Sequence, residues 1–430
     1  MANAYERIAQ QAEKHERVQT LMHYVNKQNL IEEHRQQRKD KATGIDRVGK
    51  EAYEENLEAN IDDLLIKMKG FSYRPQAVRR AYIPKAGSDK MRPLGIPAYE
   101  DKLVQGAMRK VLDQIYEGKF YNFSYGYREG KSCHQAIREV NQLIMTRKVN
   151  FIVDADIKGF FDNVDHEWLM RFLEHDIADK NFLRYIKRFL KAGIMEDMEY
   201  HESDKGTPQG GLISPVCANV YLHYVLDMWF DKVVKKQCKG EAHIVRYADD
   251  FICMFQHEHE ANAFYKALEV RLGKFNLELS KEKSKIIRFG RFARQNSADG
   301  KTDTFDFLGF THINGETRTG KYTVLHRTSK KKLKDKKQIV KEWLKENIHG
   351  KPSDTIERLN KKLVGHYRYY GISGNYEGLL KFYRYIRIML YKILTRRSQR
   401  AYLTWKRYRM LLEKHPIALP RIYVNIWQAV

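Results

Sequence analysis

The sequence predicts an α+β chain in more than one packed unit. Three observations carry that expectation. Long segments that mix charged and apolar residues without Pro or Gly occupy both ends of the 430-residue chain. Short apolar runs that end in aspartates lie in the middle, at 151–156 and 243–255. The positive charge is concentrated in the last quarter. A hydrophobic content of 43% supplies a sizeable core and excludes global disorder.

The elements follow in order. Residues 1–40 read as mainly helical, and Lys41-Ala-Thr-Gly44-Ile-Asp46 breaks them. Residues 49–69 read as helix again. Pro75 forces extended backbone at Arg74. A hairpin follows over 76–97, with one strand to Tyr82-Ile-Pro-Lys85, a turn at Ala86-Gly-Ser-Asp89 and a return through Met91-Arg92 to Pro97. Helices are expected over 100–117, 132–147, 165–193, 215–237 and 258–275. Strands are expected at 243–247 and 251–255, and a short strand pair within 283–312. The last 110 residues read as helical. Gly315, Gly320 and the change in charge mark a boundary near 315–325, giving an N-terminal helical extension over 1–75, a middle unit over 76–318 and a basic helical unit over 319–430.

Composition excludes several classes. Mean hydropathy is −0.65 and no apolar run approaches 18 residues, so no membrane span is expected. The first twenty residues lack an apolar stretch, so no secretory signal is expected, and a cytoplasmic setting fits. The four cysteines contain no CxxC pair, against a disulfide framework or a structural zinc site. Residues 321–430 hold 27 Lys+Arg and 7 Asp+Glu, a net of +20 out of +24 for the chain. Such a segment repels itself unless a polyanion neutralises it, which favours nucleic acid over a merely solvated surface. Within it, 376–398 reads as an amphipathic helix. Leu379, Phe382, Ile386, Leu390 and Ile393 share one arc, and Lys381, Arg384, Arg387, Lys392 and Arg396 share the opposite one. Arg79 and Arg80 add charge to the first strand of the 76–97 hairpin.

The carboxylates suggest chemistry. Phe151-Ile-Val-Asp154-Ala-Asp156 is an apolar strand ending in acid, and Asp249-Asp250 sits between two apolar runs at a hairpin tip. Adjacent carboxylates repel unless a cation neutralises them. Three aspartates on two neighbouring strands suit a pair of Mg²⁺ ions about 3.5–4 Å apart for in-line displacement at phosphorus. The bland reading is an ordinary turn, since Asp favours turns. Between the acids lies Gly206-Thr-Pro-Gln209-Gly210-Gly211, a small turn-forming loop ahead of a helix, which brings backbone close to a ligand or is simply a loop.

Four motifs then appear in order: Asp156-Ile-Lys-Gly-Phe-Phe161-Asp, Gly206-Thr-Pro-Gln-Gly-Gly, Tyr247-Ala-Asp-Asp250 and Phe307-Leu308-Gly309-Phe310. Together they resemble reverse transcriptases, most closely the bacterial group II intron type. Ile83-Pro-Lys85, Arg92-Pro-Leu-Gly-Ile-Pro97 and Ser124-Tyr-Gly-Tyr-Arg128 fit the same group. The resemblance implies a right-hand polymerase fold, with fingers that include 76–145, a palm whose antiparallel sheet carries the acids, and a helical thumb or X domain. It implies that Asp156, Asp249 and Asp250 bind two Mg²⁺ ions, with Mn²⁺ as a substitute, helped by the carbonyl of Ile157. Lys85 and Arg92 would bind the incoming triphosphate, Phe161 would exclude a ribose 2′-OH, and Gln209 would line the nucleotide pocket. Phe307, Leu308 and Gly309 would grip the primer end. Lys283 would protonate departing pyrophosphate, although Lys281 and Lys285 are close by. Gly44-Ile-Asp46-Arg47 departs from the family's Gly-x-Asp-Gly. No Cys/His cluster or endonuclease motif follows the basic segment, so the endonuclease-less type is expected.

The function expected from the resemblance is copying RNA into cDNA with dNTPs from a DNA primer, together with binding of group II intron RNA to assist splicing and mobility. Competing readings are a splicing maturase with incidental polymerase activity, an RNA polymerase, which Phe161 argues against, and a domesticated reverse transcriptase in defence or repair. No protein partner and no membrane are implied.

Overall fold

Residues 4–84, 91–196, 199–207, 210–293, 302–347, 349–397 and 403–427 are described by a computed structural model. The chain begins with helices α1 (Ala4–Lys14) and α2 (Lys27–Gln36), the latter started by Asn26, whose side chain accepts the amide of Asn29. The helix expected over 49–69 divides into α3 (Lys50–Glu54) and α4 (Leu57–Lys69). Strands β1 (Val78–Pro84) and β2 (Met91–Ile96) form the expected hairpin, whose turn lies outside the described residues. Helices α5 (Tyr99–Tyr116) and α6 (Cys133–Thr146), strand β3 (Phe151–Ala155) and the short helix α7 (Phe160–Asn163) follow.

The single helix expected over 165–193 is two, α8 (His166–Asp176) and α9 (Lys180–Leu190). Asp179 breaks it. Its Oδ1 accepts the amides of Asn181 and Phe182, and its Oδ2 accepts those of Leu21 and Met22. One carboxylate thus caps α9 and anchors the N-terminal segment, an alternative to continuing the helix. Strands β4 (Ile194–Glu196) and β5 (Glu199–His201), too short to leave a periodic signal, extend the first hairpin into a sheet of order β2-β1-β4-β5. Helix α10 (Ser214–Leu222) runs through π turns at His223–Asp227 and Phe230–Val234 into α11 (Lys235–Gln237).

The central sheet is built from β3, β6 (Ala242–Tyr247), β7 (Asp250–Phe255) and, after helix α12 (Glu258–Lys274), β8 (Lys285–Arg288), in the antiparallel order β6-β7-β3-β8. Along β7, Phe251, Cys253 and Phe255 pack into the main core while Ile252 and Met254 pack into a second core on the other face. A strand covered on both faces must be apolar throughout, which is why these runs read as continuous rather than alternating.

Strands β9 (Thr304–Phe307), β10 (Phe310–Glu316) and β11 (Tyr322–Thr328) form a third sheet. The last 110 residues are therefore not all helical. The pairs run from Phe310↔Thr328 to Glu316↔Tyr322, so the glycine-marked region at 315–325 is a hairpin tip, and helix begins at α13 (Lys330–Glu346). With α14 (Pro352–Tyr370), α15 (Tyr376–Thr395) and α16 (Trp405–Lys414) it encloses a separate apolar cluster. Leu379, Phe382, Ile386, Leu390 and Ile393 of α15 are buried in it, while Lys381, Arg384, Arg387, Lys392 and Arg396 are exposed on the far side.

Candidate active site

The strand register brings the acids together. In the antiparallel β3–β7 pair, Ala155 stands opposite Phe251, so the next residue, Asp156, comes beside Asp250. Tyr247 pairs with Asp250 across a two-residue turn at Ala248-Asp249, with Ala248 in the left-handed region at φ 57°. The carboxylates feel one another. Asp249 is raised by burial and by Asp156, against the opposing charges of Arg92 and Arg246. Asp250 is pushed up to about 6 by the surrounding protein, Asp249 and Asp156, against Lys332 and Lys283. Asp154, one step back on β3, is likewise raised to about 6, chiefly by burial, and it sits beside Lys285.

Adjacent carboxylate oxygens such as those of Asp249 and Asp250, both raised by desolvation and by neighbouring negative charge, are the hard donor chemistry a divalent cation relieves. No three or more Asp, Glu, His or Cys side chains among the described residues stand in coordinating arrangement. The Lys283 ammonium takes Asp156 Oδ2 at 2.6 Å. Lys283 follows the Asp156 strand end closely in space, because Ser280 donates its amide to the Asp156 carbonyl and Ser284 Oγ accepts the Asp156 amide. Ile157 bridges Leu279 through bonds made by its neighbours Asp156 and Lys158, not by its own carbonyl.

The walls of the cleft are aromatic and glycine-rich. Phe160 is buried in the core and Phe161 is half-buried, edge-on to Tyr127 at 6.4 Å between ring centroids. The Gly206 loop lies on this segment: the Thr207 amide donates to the Phe161 carbonyl at 2.8 Å, and Gly206 at φ 84° leaves 3.0 Å between a notional Cβ and that same carbonyl. Arg92 is exposed on β2. Lys85 and Gln209 lie outside the described residues. Leu308 and Gly309 form the β9–β10 turn, both at positive φ, and the Leu308 carbonyl accepts the Tyr369 hydroxyl of α14 at 3.0 Å, while Phe307 is buried. Arg79 donates to the Thr43 carbonyl and Arg80 pairs with Glu196, so both are engaged within the fold.

Several contributors were not singled out by sequence. Arg246, fully buried, pairs with Asp227 on the first π turn and also donates to Asn219 Oδ1 and to the Ala248 carbonyl of the aspartate turn. Asn219 in turn donates to the Gly126 carbonyl at 2.6 Å, and a Cβ on Gly126 would come within 2.2 Å of the Ala248 nitrogen. Tyr127, half-exposed at φ 58°, has its hydroxyl raised by burial and by Asp249. The charge of Lys332, in the first turn of α13, acts on Asp250 and favours its ionised form. Tyr127 and Gly126 lie within a quoted motif, and Arg246 adjoins another. Lys332 sits in a lysine run with nothing to distinguish it.

With this geometry established, comparison with known proteins decides the family. Residues 83–312 match the family model described as reverse transcriptase (RNA-dependent DNA polymerase). The chain belongs to the reverse transcriptase family. It is 35% identical to the group II intron-encoded protein LtrA of Lactococcus lactis over 246 residues, 55% of this chain and 41% of LtrA. It is 30% identical to protein YkfC of Escherichia coli over 68% of this chain and 81% of YkfC. A nuclear intron maturase 3 of Arabidopsis thaliana matches over 30% of the chain at 29% identity. The match to LtrA thus spans about two fifths of that relative. These relatives bear out the likeness to intron-encoded reverse transcriptases, and with it the right-hand α+β fold class. No described helix is long and apolar enough to cross a membrane, and the four cysteines are free.

Proposed function

We propose that this chain is an RNA-directed DNA polymerase that extends a DNA primer on an RNA template with dNTPs and also binds group II intron RNA to assist splicing and mobility. The convergence of Asp156 with the Asp249-Asp250 turn, inside a cleft walled by Phe161 and Tyr127, is the observation that carries it. The resemblance of relatives that are intron-encoded or named maturases supports the intron-directed part, as does the exposed basic face of α15.

Asp156, Asp249 and Asp250, with the Ile157 carbonyl, would hold two Mg²⁺ ions. Bound there, the ions would supply charge neutralisation at the 3′-hydroxyl and the triphosphate. The chain's own groups do the rest. Arg92 and Lys85 would draw the triphosphate into the finger hairpin as charge develops on its oxygens. Lys283, ion-paired to Asp156 before substrate enters, would be displaced toward the phosphates and carry the proton that departing pyrophosphate takes. Phe161, fixed through the Thr207 amide, would exclude a 2′-hydroxyl by contact. Gln209 would line the nucleotide pocket, and the Phe307-Leu308-Gly309 turn, pinned to α14 by Tyr369, would hold the primer end.

Primer extension with dNTPs against rNTPs tests the reading. Wild type should extend with dNTPs alone, and Phe161→Val should gain rNTP incorporation by tenfold or more. Unchanged rNTP rejection by a variant that still uses dNTPs would remove Phe161 from the gate.

A further inference from the structure

Helix α9 carries a feature the polymerase cleft does not use. Lys180, Arg184, Lys187 and Arg188, with Lys191 just past its end, fall within an arc of about 100° at the helical repeat, and no acid interrupts them. The opposite face, Phe182, Leu183, Tyr185, Ile186, Phe189 and Leu190, is buried in the main core. Arg74, from the loop before β1, joins the stripe. Its guanidinium donates to the Phe71 carbonyl at 2.8 Å, and Arg188 donates to the same carbonyl at 3.1 Å and to that of Tyr73 at 2.7 Å. Arg184 stacks on the Phe71 ring at 4.3 Å. Phe71 itself is 38% exposed and held at φ 57°, a left-handed conformation that non-glycine residues rarely adopt.

Two guanidiniums are therefore oriented by backbone carbonyls and a third, Arg184, by the Phe71 ring, and none of the ion pairs among the described residues reaches them. Asp179, the residue just before the helix, has its carboxylate taken up by four backbone amides. Burial and the neighbouring charges of Arg74 and Arg184 both disfavour the charged form of Arg188. A solvated surface gains nothing from holding like charges together. A partner with closely spaced anions does.

We propose that the α9 stripe, with Arg74, is a second RNA-docking surface, which grips the phosphate backbone of a folded RNA outside the polymerase cleft. A membrane surface is the poorer fit, because the apolar face of α9 is already buried and has nothing to insert. The stripe runs about 16 Å along the helix, enough to meet several successive phosphates. Guanidiniums suit such contacts because each offers paired donors to phosphate oxygens. The inference rests on the reading of this chain as an RNA-binding polymerase, and it adds where that RNA is held.

The test compares wild type with Arg74→Gln/Arg184→Gln/Arg188→Gln. Because Arg188 also ties down the Phe71 loop, Arg184→Gln/Lys187→Gln/Lys191→Gln serves as a second variant that spares those bonds. The probe is a labelled hairpin RNA lacking a primer, titrated from about 0.05 to 0.3 M salt. Both variants should bind it tenfold or more weaker at low salt, and the slope of log Kd against log salt should fall by about two. Extension of a short template–primer at saturating protein should be unchanged. Wild-type affinity and slope in a folded variant would overturn the proposal. Weaker binding at an unchanged slope would overturn it as well, since no phosphate contact would have been lost. Loss of binding to polyglutamate or anionic vesicles with hairpin binding intact would assign the stripe to another partner. Failure of wild type to extend any primer would count against the polymerase reading alone.

Discussion

Arg246 is the residue on which the aspartate turn rests. Its guanidinium has no exposed surface and divides its donors among Asp227, Asn219 and the Ala248 carbonyl. A buried ion pair gains little over an apolar pair of the same size, but breaking one partner leaves an uncompensated charge. Asp227→Ala should therefore cost about 3–5 kcal/mol in a denaturant titration, beyond what a surface substitution costs. A loss under about 1 kcal/mol would mean that Arg246 finds another partner. The Arg246 role was illegible in sequence because Asp227 lies 19 residues upstream on a π turn, and no spacing rule links a helix carboxylate to a strand arginine. The placement of Asp156, Asp249 and Asp250 at strand ends, in contrast, is legible, since apolar runs fix the strands and the acids terminate them.

At the scale of elements, the β10–β11 hairpin shows what periodicity misses. Its strands carry His312 and His326, both with no exposed surface, packed edge to face at 4.9 Å between centroids, and His312 stacks on Phe305 at 4.4 Å. Neither ring nitrogen pair finds a hydrogen-bond partner among the described residues. Burial lowers His326 to about 4 and His312 further, the latter also through His326. The unfolded chain binds these protons below about 6.5 and the folded one does not, so stability falls as pH drops from 6.5 toward 4. His326 alone should contribute about 2 kcal/mol of this loss at pH 5. Melting of wild type and His326→Gln at pH 5 and 7 checks it: the variant should lose less stability on acidification, and equal losses would refute a neutral buried imidazole. Buried carboxylates such as Asp101, raised to about 7 by burial, act in the opposite sense, so the comparison must be between variants. The hairpin escaped sequence reading because its glycines and the onset of positive charge look like a boundary. The helices α5, α6, α12 and α15 were read within a residue or two at most ends, because each carries a sustained apolar stripe. The 165–193 helix was misread because Asp179 acts through side-chain caps rather than through a missing apolar position.

At the scale of the molecule, the helical tail is fastened back onto the body by the chain beyond α16. Tyr423 and Val424 donate their amides to the Gly371 carbonyl, and Ile372 bridges Val424. Ile426 packs with Ile137 of α6, Phe310 of β10 and Ile372, and Arg138 donates to the Asn425 carbonyl. Gly371 is required at this crossing, because a Cβ would meet the Tyr367 and Arg421 carbonyls at 2.2 and 2.5 Å. The segment links the helical tail to α6 and to the sheet that carries the Phe307-Leu308-Gly309 turn. Ile426→Ala should remove about 2–5 kcal/mol of docking free energy. Amide exchange at Tyr423 and Val424 would then accelerate by roughly thirtyfold or more. Unaltered protection would show that the backbone bonds alone hold the segment.

The turn Ala248-Asp249, set against Asp156, is proposed to perform nucleotidyl transfer. The direct measurement is primer extension on an RNA template with dNTPs and Mg²⁺, wild type against Asp249→Asn, with folding of both verified by melting. Wild type should extend with dNTPs, and extension should fall by at least three orders of magnitude in a variant that melts like wild type. Extension at the wild-type rate by Asp249→Asn, or none by a folded, RNA-binding wild type, would contradict it.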